Sequence, residues 1–280
     1  MRVRINWKLK SVIFSAIDLF NAPQVLYFLQ RHVTGRSKVN IDAVEDVWRF
    51  HRDSLESLNA PSLIEFGAGK NLRQNIYLSA FCRAQTVVDL FPMLEIDQFN
   101  SAARQISALV PDIPFHECAS LSDIERCYGI TYRAPFDMAH APLDDNCLDC
   151  CVSTNTMEHL PVETLRSILS ELTRVIRPGG LISAKIDYSD HYSHTDRGIG
   201  PLNFLSYTEE QWRKHNHHHH YQNRLRHYHY RQFFADAGLG IEYDEPVFTA
   251  DKPAVMADGF DPSEPTVHAT AGLFRLRVRN

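Results

Sequence analysis

The chain has 280 residues, of which 44% are apolar and 22% charged, and a formal net charge of −5. At roughly 100–200 residues per domain this is one elaborated globular domain or at most two. The charge excludes a dominant nucleic-acid footprint, which needs a strong basic excess. The six irregularly spaced cysteines suggest no disulfide framework and fit reduced thiols in a cytoplasmic protein.

Residues 1–60 read as a helical extension. Val12 to Gln30 is apolar-rich, with Arg2, Arg4, Lys8 and Lys10 before it and Arg31, Arg36 and Lys38 after it. Asp18 and Pro23 interrupt it, so it lacks the run of about 18 apolar residues that a membrane span requires. No small-residue cleavage site marks it as a signal peptide. Asn21-Ala-Pro23 predicts a break and a restart, with Asn21 as cap and Pro23 in the first turn. A second helix is expected from Asp42 to Leu58, and Pro61 marks entry to the core.

From there strands and helices alternate. Strands are expected at Ser62–Phe66, Thr86–Asp89, Leu148–Ser153 and Leu181–Ile186, and helices at Leu72–Phe81, Phe99–Leu109 and Val162–Ile176. Such alternation predicts an α/β fold, a mainly parallel sheet covered by helices on both faces. Cys147-Leu-Asp-Cys150 has no second pair and falls in a buried-strand pattern. Between Asp187 and Gln232 the pattern fails in a segment rich in His, Tyr, Arg and Asn. A helix near Tyr230–Ala237, a strand near Ile241 and a last strand at Ala271–Val278 complete the chain, with a loop between Asp251 and Pro265.

The sharpest local signal is Ile64-Glu65-Phe66-Gly67-Ala68-Gly69-Lys70-Asn71, a strand that ends in an acid, turns on glycines and enters a helix. Glycines admit a ligand that a Cβ would block, and the helix start offers free N–H groups. Asp89 closes the next strand, 24 residues after Glu65, where a carboxylate can accept both hydroxyls of a ribose. A dinucleotide fingerprint would need glycine where Leu72 stands. A P-loop would need glycine at Ile64 and Ser or Thr at Asn71.

Three further blocks follow: Asp137-Met138 leading to Leu143-Asp-Asp-Asn-Cys-Leu-Asp149, then Met157-Glu-His-Leu-Pro161, then Arg174-Val-Ile-Arg-Pro-Gly-Gly180. Together with the glycine turn and Asp89 they resemble the class I S-adenosylmethionine (SAM)-dependent methyltransferases of the "type 11" group, over about residues 60–187. The resemblance implies a Rossmann-like, seven-stranded, mostly parallel sheet spanning residues 61–280, with residues 187–232 as a substrate-site insertion. It implies that Glu65, Gly67, Ala68 and Gly69 hold the methionine part of SAM. By the same resemblance Asp89 binds the ribose beside Leu90, Asp137 and Met138 meet the adenine, and Asn155 lies near the sulfonium. The third turn glycine of the family is Asn71 here, which is expected to take the left-handed backbone conformation in its place.

Methyl transfer to a hydroxyl benefits from a nearby base, most often His. His159 and the cluster Asp187, Asp190, His191 and His194 follow predicted strands and are the catalytic candidates, with His194 toward the substrate. Their spacing matches no metal signature, so no metal is expected. His217 to His220 read as solvated histidines. Asn223, Arg224 and Arg226 are substrate candidates, because Arg forks suit carboxylate or phosphate groups. With Asn203-Phe-Leu205 and Trp212 they resemble bacterial glycan or small-molecule methyltransferases. The expected activity is therefore methylation of a glycan or small-molecule hydroxyl. The alternatives are a non-catalytic scaffold of the same fold or an NAD-dependent oxidoreductase. Residues 1–40 are expected to form a lid over the acceptor site or to contact the inner membrane surface.

Overall fold

A computed structural model describes residues 5–20, 39–251, 253 and 255–279. Asn21 and Pro23, expected to break and restart the first helix, lie outside the described residues. Seven strands form one sheet: β1 (Ser62–Phe66), β2 (Ala84–Val88), β3 (Ile130–Arg133), β4 (Leu148–Thr154), β5 (Ile176–Asp187), β6 (Leu239–Phe248) and β7 (Ala269–Val278). Their order is β3-β2-β1-β4-β5-β7-β6. β1 to β5 run parallel, and β7 is antiparallel to both β5 and β6.

Successive strand residues point to opposite faces, and the two faces carry different helices. Ile64, Val88, Cys151 and Ile182 pack with α6 (Val162–Val175) and α8 (His227–Asp236). Leu63, Val87, Cys150 and Leu181 pack with α2 (Asp46–Leu55), α3 (Arg73–Leu78), α4 (Ile96–Leu109) and α5 (Leu121–Tyr128). Burial on both faces explains why the central strands read as continuous apolar runs rather than alternating ones.

α1 (Trp7–Leu19) is capped by Asn6, whose side chain accepts from the Lys8 and Leu9 amides. Its Trp7, Phe14 and Ile17 are buried against Tyr192, Leu202, Phe204, Leu205 and Trp212, in a third cluster formed with the segment after β5. Each fully buried large apolar side chain stabilises by about 1.5–3 kcal/mol, enough to dock the helix. Leu9, Val12 and Leu19 on the other side of α1 are exposed. No described helix is long and apolar enough to cross a membrane. The segment at 187–232 is mainly turns, with α7 (Glu209–Arg213) held by a Thr208–Gln211 capping box.

Several expectations need correction. α2 is shorter at both ends than predicted, while α8 begins three residues before its predicted start. β5 extends back to Ile176 through the Pro-Gly-Gly stretch. α5 and β3 had no counterpart in the sequence reading. β3 is a four-residue edge strand with polar members, which gives little periodic signal. α5 did carry one: Ser120 accepts from the Asp123 amide, and Gly129 closes the helix at φ +65°. All six cysteines are unpaired.

Candidate active site

The chain reverses its direction of travel across the sheet between β1 and β4, the place where open α/β sheets bind ligands. Gly67 (φ +75°) and Gly69 (φ +78°) turn the backbone beyond β1. A Cβ on Gly67 would sit 2.5 Å from Thr156 Cγ2, so glycine is required there by space as well as by conformation. Gly69 has open space around it, so only its φ demands glycine. The third left-handed residue is Leu72 (φ +48°), not Asn71. Asn71, one residue before the N-cap of α3, instead accepts from the Arg73 amide through its side chain (3.3 Å).

Glu65 lies behind this turn. Its two oxygens accept from Gln74 Nε2 (3.0 Å) and Asn75 Nδ2 (2.7 Å). Desolvation pushes its pKa up to about 7, against the pull of those two amides. Gln74 also accepts from Thr154 Oγ1, which meets His51 Nε2, while His51 Nδ1 meets Ser183 Oγ (2.7 Å). This buried chain of polar groups ties α2 to β4, β5 and the glycine turn. Sequence reading missed it, because His51 looked like any helix histidine. Burial lowers its pKa to about 3.

Asp89 sits at the end of β2 and is nearly buried, which raises its pKa. Tyr132 donates to its Oδ2 (2.9 Å) and accepts from the Met93 and Leu94 amides. Leu90 and Phe91, directly beyond it, are 58% and 65% exposed. The Phe136 amide donates to the Asp89 carbonyl (2.9 Å), which brings Asp137 and Met138 alongside. Asp137 caps a short turn and accepts from the Ala139 amide and His140 Nδ1, and its pKa is lowered, first by His140. The Met138 side chain is buried in the core, so only its backbone faces outward.

β4 ends in Asn155, held at φ +52° with its N–H on the Lys185 carbonyl (2.9 Å). Left-handed backbone at a non-glycine residue is a local strain that often marks functional edges. The turn that follows places Glu158 inside and His159 facing outward. Asp187, at the end of β5, accepts from the Ser189 amide and hydroxyl through Oδ1. Its Oδ2 lies 3.5 Å from His191 Nε2 and 3.8 Å from His194 Nε2. The His159 and His191 rings are 4.9 Å apart, as are those of His191 and His194. Burial alone would raise the pKa of Asp187, but His191 and Ser189 outweigh it and hold the group at about 2. His159 is solvent-facing yet surrounded by protein, and desolvation lowers its pKa.

Residues 65–184 match the family model described as "Methyltransferase domain". Residues 65–184 form a methyltransferase domain. No curated protein matches its sequence. Among solved structures it is similar to a chain of the complex between the Haloferax volcanii Trm112 methyltransferase activator and a methyltransferase, at 16% identity. That match covers 95% of this chain and 98% of that one, with TM-score 0.49. A methyltransferase from Bacillus halodurans C-125 is 14% identical over 84% of this chain and 99% of that one, with TM-score 0.48. The N-methyltransferase NodS from Bradyrhizobium japonicum WM9, in complex with S-adenosyl-L-homocysteine, is 14% identical over 82% and 84%, with TM-score 0.46. None of these likenesses bears on the acceptor.

The residues of the methyltransferase domain fit SAM. The open space beside Gly69 lets a ligand approach the backbone of the turn, and Asp89 is a positioned carboxylate with lone pairs to spare for a ribose. Leu90 and Phe91 offer apolar edges for an adenine, Phe91 being a residue that sequence reading missed. Glu65 has both oxygens occupied and acts behind the turn, as a positioning residue.

Other predicted site residues do not face this edge. Arg226 is fully buried and donates to the carbonyls of Val267, Tyr188 and Ala269. Arg224 donates to the Phe204 and Tyr207 carbonyls and pairs with Glu209 (2.6 Å). Asn223 donates to the Met157 and Leu160 carbonyls. These three fasten the insertion to the domain and leave no fork for a substrate anion. Asp190 is likewise buried, accepting from Asn203 and the Tyr192 amide. The histidine run is not a solvated tract either. His219 pairs with Asp18 of α1, and the His220 ring stacks on Tyr192.

Proposed function

We propose that this methyltransferase acts on oxygen, transferring a methyl group from SAM to a hydroxyl of a glycan or small molecule. The observation that carries the reading is the convergence of His159, His191 and Asp187 at the ends of β4 and β5, on the edge that also bears the glycine turn and Asp89. SAM, when bound, supplies an electrophilic methyl group on a sulfonium. What remains for the chain is to align the acceptor and remove its proton.

His159 suits the second task. Desolvation holds its pKa down, so the ring is neutral near pH 7 and able to accept a proton. Asp187, ionised throughout the neutral range, stabilises positive charge that develops on the neighbouring imidazoles. His194 lies half-exposed beside Asp187 and offers a polar contact to an arriving acceptor. α1, docked on the segment after β5, forms part of the wall on that side.

The test is methyl transfer from labelled SAM to a panel of hydroxylated and amine acceptors, with the native chain and His159→Ala. The reading expects hydroxyl products, and a kcat lowered by about 10²–10⁴ in the variant with unchanged affinity for S-adenosyl-L-homocysteine. Methylated amines alone would replace the oxygen acceptor. A fully active variant would remove His159 from the mechanism.

A further inference from the structure

Glu158 is 1% exposed, and neither of its carboxylate oxygens has a hydrogen-bond partner among the described residues. Burial and the neighbouring Asp187 carboxylate act against its charge, while the Glu158 and Asp187 amides and Lys185 act in its favour. A buried carboxylate in that state is unfavourable unless a cation or a donor meets it. Beside it, His191 Nε2 is a second buried polar atom without a hydrogen bond. Glu158, His159 and His191 each offer a ligand atom, all within 4.8 Å of one another, and Asp187, His191 and His194 form a second such trio through the shared His191.

The surroundings prepare these atoms for a ligand. His159 Nδ1 donates to the Tyr221 carbonyl (2.9 Å), which leaves the Nε2 lone pair of the neutral ring available. Ser189 holds Oδ1 of Asp187 through its amide and hydroxyl, which keeps Oδ2 toward the imidazoles. Gln222 accepts from the His191 amide and donates to the Ser189 carbonyl, fixing the loop between them.

We propose that Glu158, His159, Asp187 and His191 hold a divalent first-row transition-metal ion, with His194 at its rim. Two imidazoles with two carboxylates suit Mn²⁺ to Zn²⁺ better than the all-oxygen preference of Ca²⁺ or Mg²⁺. The sequence shows no ligand spacing because the donors come from two places, the turn after β4 and the end of β5. Binding of the ion stands on the geometry alone, while its use in methyl transfer rests on the oxygen-acceptor reading above. With the ion bound, the imidazoles are ligands. Such an ion would lower the pKa of the acceptor hydroxyl and so replace His159 in easing loss of its proton, which would pass to water.

The experiment is titration of the chelator-treated full chain with Co²⁺, read by its visible absorption and reversed by Zn²⁺. S-adenosyl-L-homocysteine binding, measured on the same samples, reports the fold and the cofactor site separately. One ion per chain is expected, with affinity lowered at least tenfold in Glu158→Gln and in His191→Ala but not in His218→Ala, which lies in the histidine run. Imidazole NMR of the unaltered chain during Zn²⁺ addition should move the His159 and His191 signals and leave that of His218. Absence of Co²⁺ binding, or binding that depends on His218 and moves its signal instead, overturns the proposal even where S-adenosyl-L-homocysteine still binds. Loss of S-adenosyl-L-homocysteine binding with Co²⁺ binding intact strikes the cofactor reading and leaves the metal site standing.

Discussion

Gly67 shows how one side chain's absence shapes the site. Gly67→Ala would place a methyl 2.5 Å from Thr156 Cγ2 at φ +75°, so crowding and backbone strain add. A loss of about 1–3 kcal/mol in stability is expected from overpacking, with cofactor affinity falling as Thr156 is displaced. Gly69→Ala meets no atom and should cost only its left-handed strain, on the order of 1 kcal/mol. Thermal melts with S-adenosyl-L-homocysteine titrations of both variants would check this, and equal effects would contradict the crowding argument. The turn residues and Asp89 were legible in the sequence because glycines and acids at strand ends act locally. Glu158 was not, since its burial depends on how the turn after β4 rolls. Arg224 and Arg226 misled for the opposite reason: a guanidinium looks the same in sequence whether it faces an anion or, as here, backbone carbonyls.

α2 contributes more than cover, because His51 inserts between Ser183 and Thr154 at the start of the polar chain that reaches Glu65. Its folded pKa of about 3 lies below the ordinary value of 6.5. Between those values the unfolded chain binds the extra proton, so stability rises with pH and is lost on acidification below about 6.5. The expected loss from this residue between pH 7 and pH 5 is about 2 kcal/mol. Denaturant titrations at both pH values should show it, with a shallower pH dependence in His51→Gln; an unchanged dependence would contradict it. α1 is held by Trp7, Phe14 and Ile17 and by Asp18 on the histidine run. Trp7→Ala should accelerate hydrogen exchange in α1 and around Trp212 while leaving α4 protected, and uniform exchange rates would refute that local docking. At this scale the apolar period revealed most buried helices and strands. It missed β3 at the sheet edge, and it gave no sign that four histidines would pack on a helix some 200 residues away in the chain.

The whole molecule joins a parallel sheet reversed at β1/β4 to an antiparallel β7–β6 end, and that order carries the glycine turn, Asp89, Asp187 and the neighbouring histidines to one edge. Strand–helix alternation in the sequence implied the parallel part. The antiparallel insertion of β7 between β5 and β6 is a long-range pairing that no local pattern announces, and the family resemblance supplied only the mostly parallel, seven-stranded form. The central claim is that this edge binds SAM through the glycine turn and Asp89. Calorimetric titration with S-adenosyl-L-homocysteine, using NAD as control ligand, tests it most directly. The account predicts micromolar binding of S-adenosyl-L-homocysteine alone, weakened about 10–100-fold in Asp89→Ala by loss of charge-assisted bonds to the ribose. Undiminished binding by Asp89→Ala, or binding of NAD in its place, would contradict it.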